Sequence, residues 1–323
     1  MTGCMRFAYA LNGPHAGRKL DGEEAPVVLR DQTLGWVHLA ADDPETRGWI
    51  DANLSYLDET ITEALLAPAT RPRATALENG LLVVLRGVNL NEGKDPEDMV
   101  SIRIWADAER IVTLAVQRVR ALEDISASIE AGEGPETAGQ FLAMLAERLN
   151  ARLEPLVHEL DQETDALEEE VIGAPGQVLR KRIVEMRLQV IELRRHASPQ
   201  RQALSALEDI RTPLLDIDDL RHLSESRERL TRQVENLDEM RDSLAVLREE
   251  LSSQLSDRLN RNMYILSILS AIFLPLGFLT GLLGINVGGM PGADNPNAFW
   301  IVSGGLAVLV AIQLFVLRRL KWM

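Results

Sequence analysis

Residues 263–283 read MYILSILSAIFLPLGFLTGLL and residues 298–317 read AFWIVSGGLAVLVAIQLFVL, and neither stretch holds a charged residue. At about 1.5 Å rise per residue the first reaches roughly 31 Å as a helix, enough to cross a bilayer core. One such run suits a buried helix of a soluble protein. Two in tandem, apolar on every face, predict a pair of membrane spans. Arg258 and Arg261 precede the first span, and Arg318, Arg319 and Lys321 follow the second, while residues 284–297 between them contain no Lys or Arg. The excess of cations places both termini on the cytoplasmic side and the 284–297 loop outside. Tyr264, Trp300 and Trp322 fall near span ends, where amphipathic rings favour the interface.

The first span is patterned. Wound as a helix, Met263, Ser267, Ser270, Leu274, Gly277, Gly281 and Gly284 share one stripe of mostly small or weakly polar residues, and the rest is largely Ile, Leu and Phe. Two readings stand: small residues let helices pack closely, or the stripe faces a wet path. Pro275 is expected to bend the helix or leave a carbonyl free. Neither span contains a carboxylate or a histidine.

Charge is segregated along the 323 residues. The formal net charge is -15, and Asp294, Arg318, Arg319 and Lys321 are the only charged residues after Arg261, so residues 1–261 carry -17. The mean hydropathy of -0.05 hides this division. An acidic part of that size repels phosphate, which argues against nucleic acid as a partner. A single cysteine, Cys4, excludes a disulfide framework, and the five histidines show no metal-finger spacing. Met1–Leu11 lacks the basic start and long apolar run of a cleavable signal peptide. No nucleophile-and-base set and no phosphate loop appears, so nothing points to an enzyme.

Residues 1–134 read as a mixed α/β domain. Strands are expected at Phe7–Leu11, Val27–Leu29, Trp36–Leu39, Leu81–Val88, Val100–Trp105 and Ile111–Val116, and helices at Pro44–Leu54, Asp58–Leu66 and Ala121–Ala131. After a break at Gly132–Pro135, residues 135–261 read as nearly all helix. One long helix covers Thr137–Val171 across Pro155, a second Gln177–His196, and Ser198–Pro199 opens a short third. From Asp218 to Leu274 there is neither glycine nor proline. Leu223, Leu230, Leu237, Leu244 and Leu251 recur every seven residues there, with Val234 and Leu255 at the companion position and Arg227, Arg241 and Arg248 interrupting it. The interruptions disfavour a simple two-stranded coiled coil and suggest a helix packed on several neighbours. It runs into the first span, and the two together make a rod of about 100 Å. Residues 262–323 form the transmembrane part.

Gly284-Ile285-Asn286-Val287-Gly288-Gly289-Met290-Pro291-Gly292 follows the first span. This resembles the CorA superfamily of divalent-cation transporters, whose mark is Gly-Met-Asn at the outer end of the first of two C-terminal spans. Ile285 in place of Met, and the Val-Gly-Gly-x-Pro-Gly continuation, look more like its ZntB zinc-transporter branch. The order of parts agrees along the whole chain. The resemblance implies a funnel-shaped homopentamer in the bacterial inner (cytoplasmic) membrane, with an α/β/α cytoplasmic domain, a helical stalk, and a central pore formed by five first spans. It carries Gly284, Ile285 and Asn286 to the pore mouth and Asn260, Met263, Ser267 or its neighbour Leu266, Ser270, Leu274, Gly277 and Gly281 to the pore wall. It implies zinc or another divalent cation as cargo with no resident cofactor, and protons as a second partner of transport. Ile285 departs from the magnesium-type motif.

Asp294, the only charge of the outer loop, reads either as an attractor of cations, once repeated around a ring, or as an ordinary solvated aspartate. Asp218 and His222, four apart on one helix face, offer oxygen and imidazole ligands suited to zinc. The plainer reading is a capping-rich helix start, since acids in a first turn suit the helix dipole. Two functions compete with zinc transport: a magnesium, cobalt or nickel channel of the CorA type, and a membrane-anchored sensor or scaffold. A mere anchor needs neither the glycine-rich loop nor the small-residue stripe.

Overall fold

The computed structural model describes residues 3–30, 33–68, 70–77, 79–173, 177–284, 292 and 295–320. The chain divides into two compact units, Met1–Arg248 and Glu249–Met323.

In the first unit, six strands form one sheet: β1 (Met5–Ala10), β2 (Gly35–Ala40), β3 (Arg73–Leu77), β4 (Gly80–Gly87), β5 (Val100–Asp107) and β6 (Arg110–Ala115). Their order across the sheet is β1-β2-β6-β5-β4-β3. β2 and β6 are parallel and every other pair is antiparallel. The reversal between β5 and β6 is written in Asp107, whose Oδ1 accepts the N–H groups of Glu109 and Arg110 at 2.9 and 2.8 Å. A short acceptor side chain bonding the backbone two and three residues on is what a tight turn requires. All six residues of β2 are buried, as befits a strand covered on both faces.

Helices supply both covers. On one face Val37, Leu39, Leu82, Trp105, Val112 and Leu114 pack with Ala25, Trp49, Ile50, Ile61 and Leu65 of α1 (Glu24–Val28), α2 (Glu45–Asn53) and α3 (Glu59–Leu66). On the other, Trp36 meets the ring of Phe141 edge-on at 4.9 Å, and the Tyr9 hydroxyl reaches Ser126 and Glu130, each at 2.6 Å. Those partners stand on α4 (Arg120–Glu130) and α5 (Ala138–Gly173). The layers are therefore α/β/α, as expected, with α6 (Gln177–Asp209) and the start of α7 (Ile217–Leu283) completing the unit.

Three expectations are corrected. Val27–Leu29 is not a strand: α1 occupies the region, because Asp21 Oδ1 accepts the N–H groups of Glu23 and Glu24 and turns the chain into a helix. Ala25 and Leu29, four apart, are buried, whereas Val27 is 65% exposed. A run of three apolar residues fits both periods, and the turn chemistry decides. β3 was not expected at all; its five residues are mostly exposed and alanine-rich, and only pairing with β4 defines them. Finally, α6 continues through Pro199 instead of ending at His196. Proline removes one backbone bond, but Val190, Leu193, Ala197, Ala203, Leu204 and Leu207 form one buried face across it. Gln200, also buried, accepts the Arg86 N–H at 2.6 Å, just beyond the Arg73–Val84 pair at which the pairing of β4 with β3 stops.

The five leucines spaced by seven in α7, Leu223 to Leu251, are all buried. In the first unit two of the three arginines that break the seam, Arg227 and Arg241, are used between helices or along the helix. Arg227 Nε holds Glu208 of α6 at 2.7 Å, and Arg241 pairs with Asp238 and Asp242. Asn150 of α5 donates to the Ser226 carbonyl at 2.7 Å. The helix packs on several neighbours, as the broken seam suggests.

His38 of β2 gives the first unit a pH dependence. It is buried against Phe7, with Nδ1 3.2 Å from the Thr113 carbonyl and 3.0 Å from the Thr113 hydroxyl. Burial, which penalises the charged ring, holds its pKa down at about 4. The unfolded chain gains this proton near pH 6.5 and the folded one only near 4, so the contribution is fully present above 6.5 and is lost as pH falls towards 4. Lowering the pH from 7 to 5 should remove about 2 kcal/mol of stability. His38→Phe should flatten that part of the profile, read as the apparent melting midpoint of the full-length protein against pH.

Candidate functional site in the two apolar helices

In the second unit, α7 continues to Leu283 and is followed by α8 (Ala298–Arg319). Both are long and apolar enough to cross a membrane, and among the described residues almost nothing covers their apolar windows. Met263, Leu266, Phe273, Leu274 and Phe278 of α7, and Phe299, Trp300, Ile301, Val308 and Phe315 of α8, are each more than half exposed. Such a surface needs lipid or further copies of the chain against it.

What cover there is falls on one face of each helix. In α7 the partly covered residues are Ile268, Ile272, Pro275, Leu276 and Leu279. In α8 they include Val302, Leu306, Leu309, Val310, Gln313 and Leu314, and Leu317 is buried. Both sets repeat at three and four, the spacing of a helix–helix seam. At about 100° per residue, the covered face of α7 stands roughly opposite Ser270. Asn260, Met263, Ser267, Ser270, Leu274, Gly277, Gly281 and Gly284 are all exposed. From Met263 to Gly284 they keep to the side away from α8. The structure thus brings these predicted residues onto one face that α8 leaves bare.

The end of the stripe tightens. The Gly284 N–H reaches both the Thr280 and Gly281 carbonyls, at 2.9 and 3.2 Å, and a Cβ on Gly284 would stand 3.1 Å from the Thr280 carbonyl. Ile285, Asn286 and Asp294 lie outside the described residues. One residue that the sequence reading missed is Gln313, whose Nε2 donates to the Ala271 carbonyl at 3.4 Å. Its signal was available: it is the only amide in α8.

Asp218 and His222 occupy a different setting, at the start of α7. Both are exposed, and Asp218 pairs with Arg221 at 3.1 Å. The neighbouring acids build the helix start. Asp216 Oδ1 accepts the Asp219 N–H at 2.8 Å, and Asp219 Oδ2 accepts the Asp216 N–H at 3.1 Å, a reciprocal capping box. Asp219 is buried, and burial pushes its carboxyl above the usual range. No group of three or more candidate metal ligands occurs among the described residues.

Comparison with known proteins adds the following. The profile of the family described as CorA-like Mg2+ transporter protein matches residues 31–319. The chain is 39% identical over 324 residues to the divalent cation transporter CmaX of Pseudomonas aeruginosa, covering 98% of this chain and 96% of that one. It is 34% identical over 322 residues to the zinc transport protein ZntB of Yersinia enterocolitica, covering 98% and 95%. The solved structure of full-length CmaX superposes with a TM-score of 0.85 at 38% identity, covering 100% of both chains.

Proposed function

The chain belongs to the CorA-like Mg2+ transporter family, and from that premise we propose that it carries divalent cations, zinc in particular, across the bacterial inner membrane along a path walled by α7. The observation that carries this reading is the bare stripe from Met263 to Gly284, small and weakly polar, on the side of α7 opposite the α8 seam. Two helices cannot enclose a path, so the wall requires a symmetric ring of copies, proposed as five. α8 then faces lipid and backs the wall. Gly284, Ile285 and Asn286 form the outer mouth, Asp294 draws cations to it, and both termini are cytoplasmic.

The chemistry of the stripe suggests how the ion moves. Hydroxyls and glycine backbone, with no carboxylate, cannot strip a divalent cation of its water. They permit passage with much of the hydration shell retained, in contact with oxygens that release as readily as they bind. Replacement of the motif methionine by Ile285, with the similarity to ZntB, favours zinc over magnesium. Protons are the proposed second partner of transport.

Uptake of labelled zinc into proteoliposomes, with magnesium as competitor, tests the reading: zinc entry that excess magnesium leaves largely unchanged supports it, and entry of neither ion removes it. Native mass spectrometry in detergent should give the pentamer; monomers and dimers alone would sink the ring. Ser270→Leu should cut zinc flux by about tenfold by adding an apolar branch to the path, whereas Ile268→Leu, on the α8 side, should change it by less than about twofold. Equal flux in the Ser270 variant and wild type would remove Ser270 from the wall.

A further inference from the structure

Pro275 lies inside α7 and has no N–H, so the carbonyl of Ala271, one turn earlier, has no donor within its own helix. In water that carbonyl would turn to solvent. In hydrocarbon it has no such recourse, and an unsatisfied backbone group there is costly. The donor it has is the Gln313 side chain of α8, 42 residues away, at 3.4 Å. The other end of that amide, Oε1, is buried without a partner. An amide that leaves its oxygen idle to present its nitrogen is oriented by the Ala271 contact.

The surroundings sharpen the point. Ala271 follows Ser270 of the stripe, and Leu274 adjoins Pro275. Beyond the proline, Thr280 Oγ1 bonds the Leu276 and Gly277 carbonyls at 2.9 and 3.2 Å, a back-bonding that favours bending. The interrupted turn is therefore held from α8 by Gln313, and the turn after it has an internal attachment through Thr280. Side-chain hydrogen bonds between spans commonly join helices in this way.

We infer that Gln313 is a positioning residue for conduction: by holding the carbonyl that Pro275 frees, it ties the bend of α7 to the second span and fixes the direction of Leu274, Gly277 and Gly281. The inference rests on the reading that this stripe faces the ion path.

The test is a double-mutant cycle in the full-length protein, read by zinc flux into proteoliposomes and by the apparent melting midpoint in detergent. Gln313→Met keeps length and volume but has no donor. With Pro275 present, it should lower flux at least about fivefold and the midpoint by about 3 °C, with the pentamer retained by native mass spectrometry. Pro275→Ala restores an N–H for the Ala271 carbonyl, so in that background Gln313→Met should change flux by less than about twofold and leave the midpoint within about 1 °C. Equal losses in both backgrounds, or no loss in either, would overturn the inference. If Pro275→Ala is itself inactive, the midpoint cycle decides. If wild-type vesicles take up no divalent cation, the transport reading falls and the conduction role falls with it. The midpoint cycle then still reports whether Gln313 holds Ala271.

Discussion

Asn286→Gly is expected to abolish zinc flux as completely as Asn286→Ala, with the pentamer intact. The two substitutions separate two roles for one residue. Asparagine just past a helix commonly serves as a cap, because it tolerates a left-handed backbone, and glycine accepts that backbone at least as well. A cap therefore survives Asn286→Gly. A mouth ligand does not, because what acts on the ion is the amide: a carbonyl oxygen that meets the hydrated cation and two N–H donors that order the water around it. In the proposed ring, each substitution removes every such amide at once. Asn286→Asp should act the other way, strengthening cation binding while slowing release. Proteoliposome uptake of labelled zinc by the three variants checks this, and wild-type transport by Asn286→Gly would reassign the residue as a cap.

Gly139→Ala is expected to be the most damaging single-methyl change in the first unit, costing about 3 kcal/mol. A Cβ there would stand 1.9 Å from Asp219 Oδ2, 2.6 Å from Asp219 Cγ and 2.7 Å from the Leu214 carbonyl. Helix α5 has no flexible side-chain end to push aside. It faces backbone on one side and on the other a buried carboxylate already engaged in the capping box with Asp216. Relief requires separating α5 from the start of α7 or breaking that cap. A drop of several degrees in the melting midpoint of the full-length protein is the expected readout, and an unchanged midpoint would mean the α5 terminus slides freely.

Much of this molecule was legible in its sequence because its parts differ in composition. The two apolar helices follow from a charge-free stretch, the seam of α7 from leucines at intervals of seven, and the stripe around Ser270 from spacing alone. The illegible parts depend on partners distant along the chain. β3 is a strand only because β4 pairs with it, and its own residues, exposed and alanine-rich, carry no period. α6 passes Pro199 because packing on both sides outweighs one missing bond. The contact of Gln313 with Ala271 needs the phase of two helices, which no single-helix pattern contains. Around Asp218 and His222 the sequence suggested a capping-rich helix start, and the structure shows that part of it directly: Asp216 and Asp219 cap each other's backbone.

The ends of the sheet carry one more implication. Outside β1, the stretch from Gly17 to Leu20 returns antiparallel, so that Ala10 N–H meets the Arg18 carbonyl at 3.0 Å and Leu20 N–H the Ala8 carbonyl at 2.8 Å. At the opposite end β3 is only five residues long, and Gln200 takes up the Arg86 N–H beyond it. A protein confined to a plane meets its own copies far more often than one free in solution. An unguarded strand edge would then recruit a neighbouring sheet and zip copies into open rows. With one edge occupied and the other cut short, that misassembly has little to start from, and association is left to surfaces that can close on themselves.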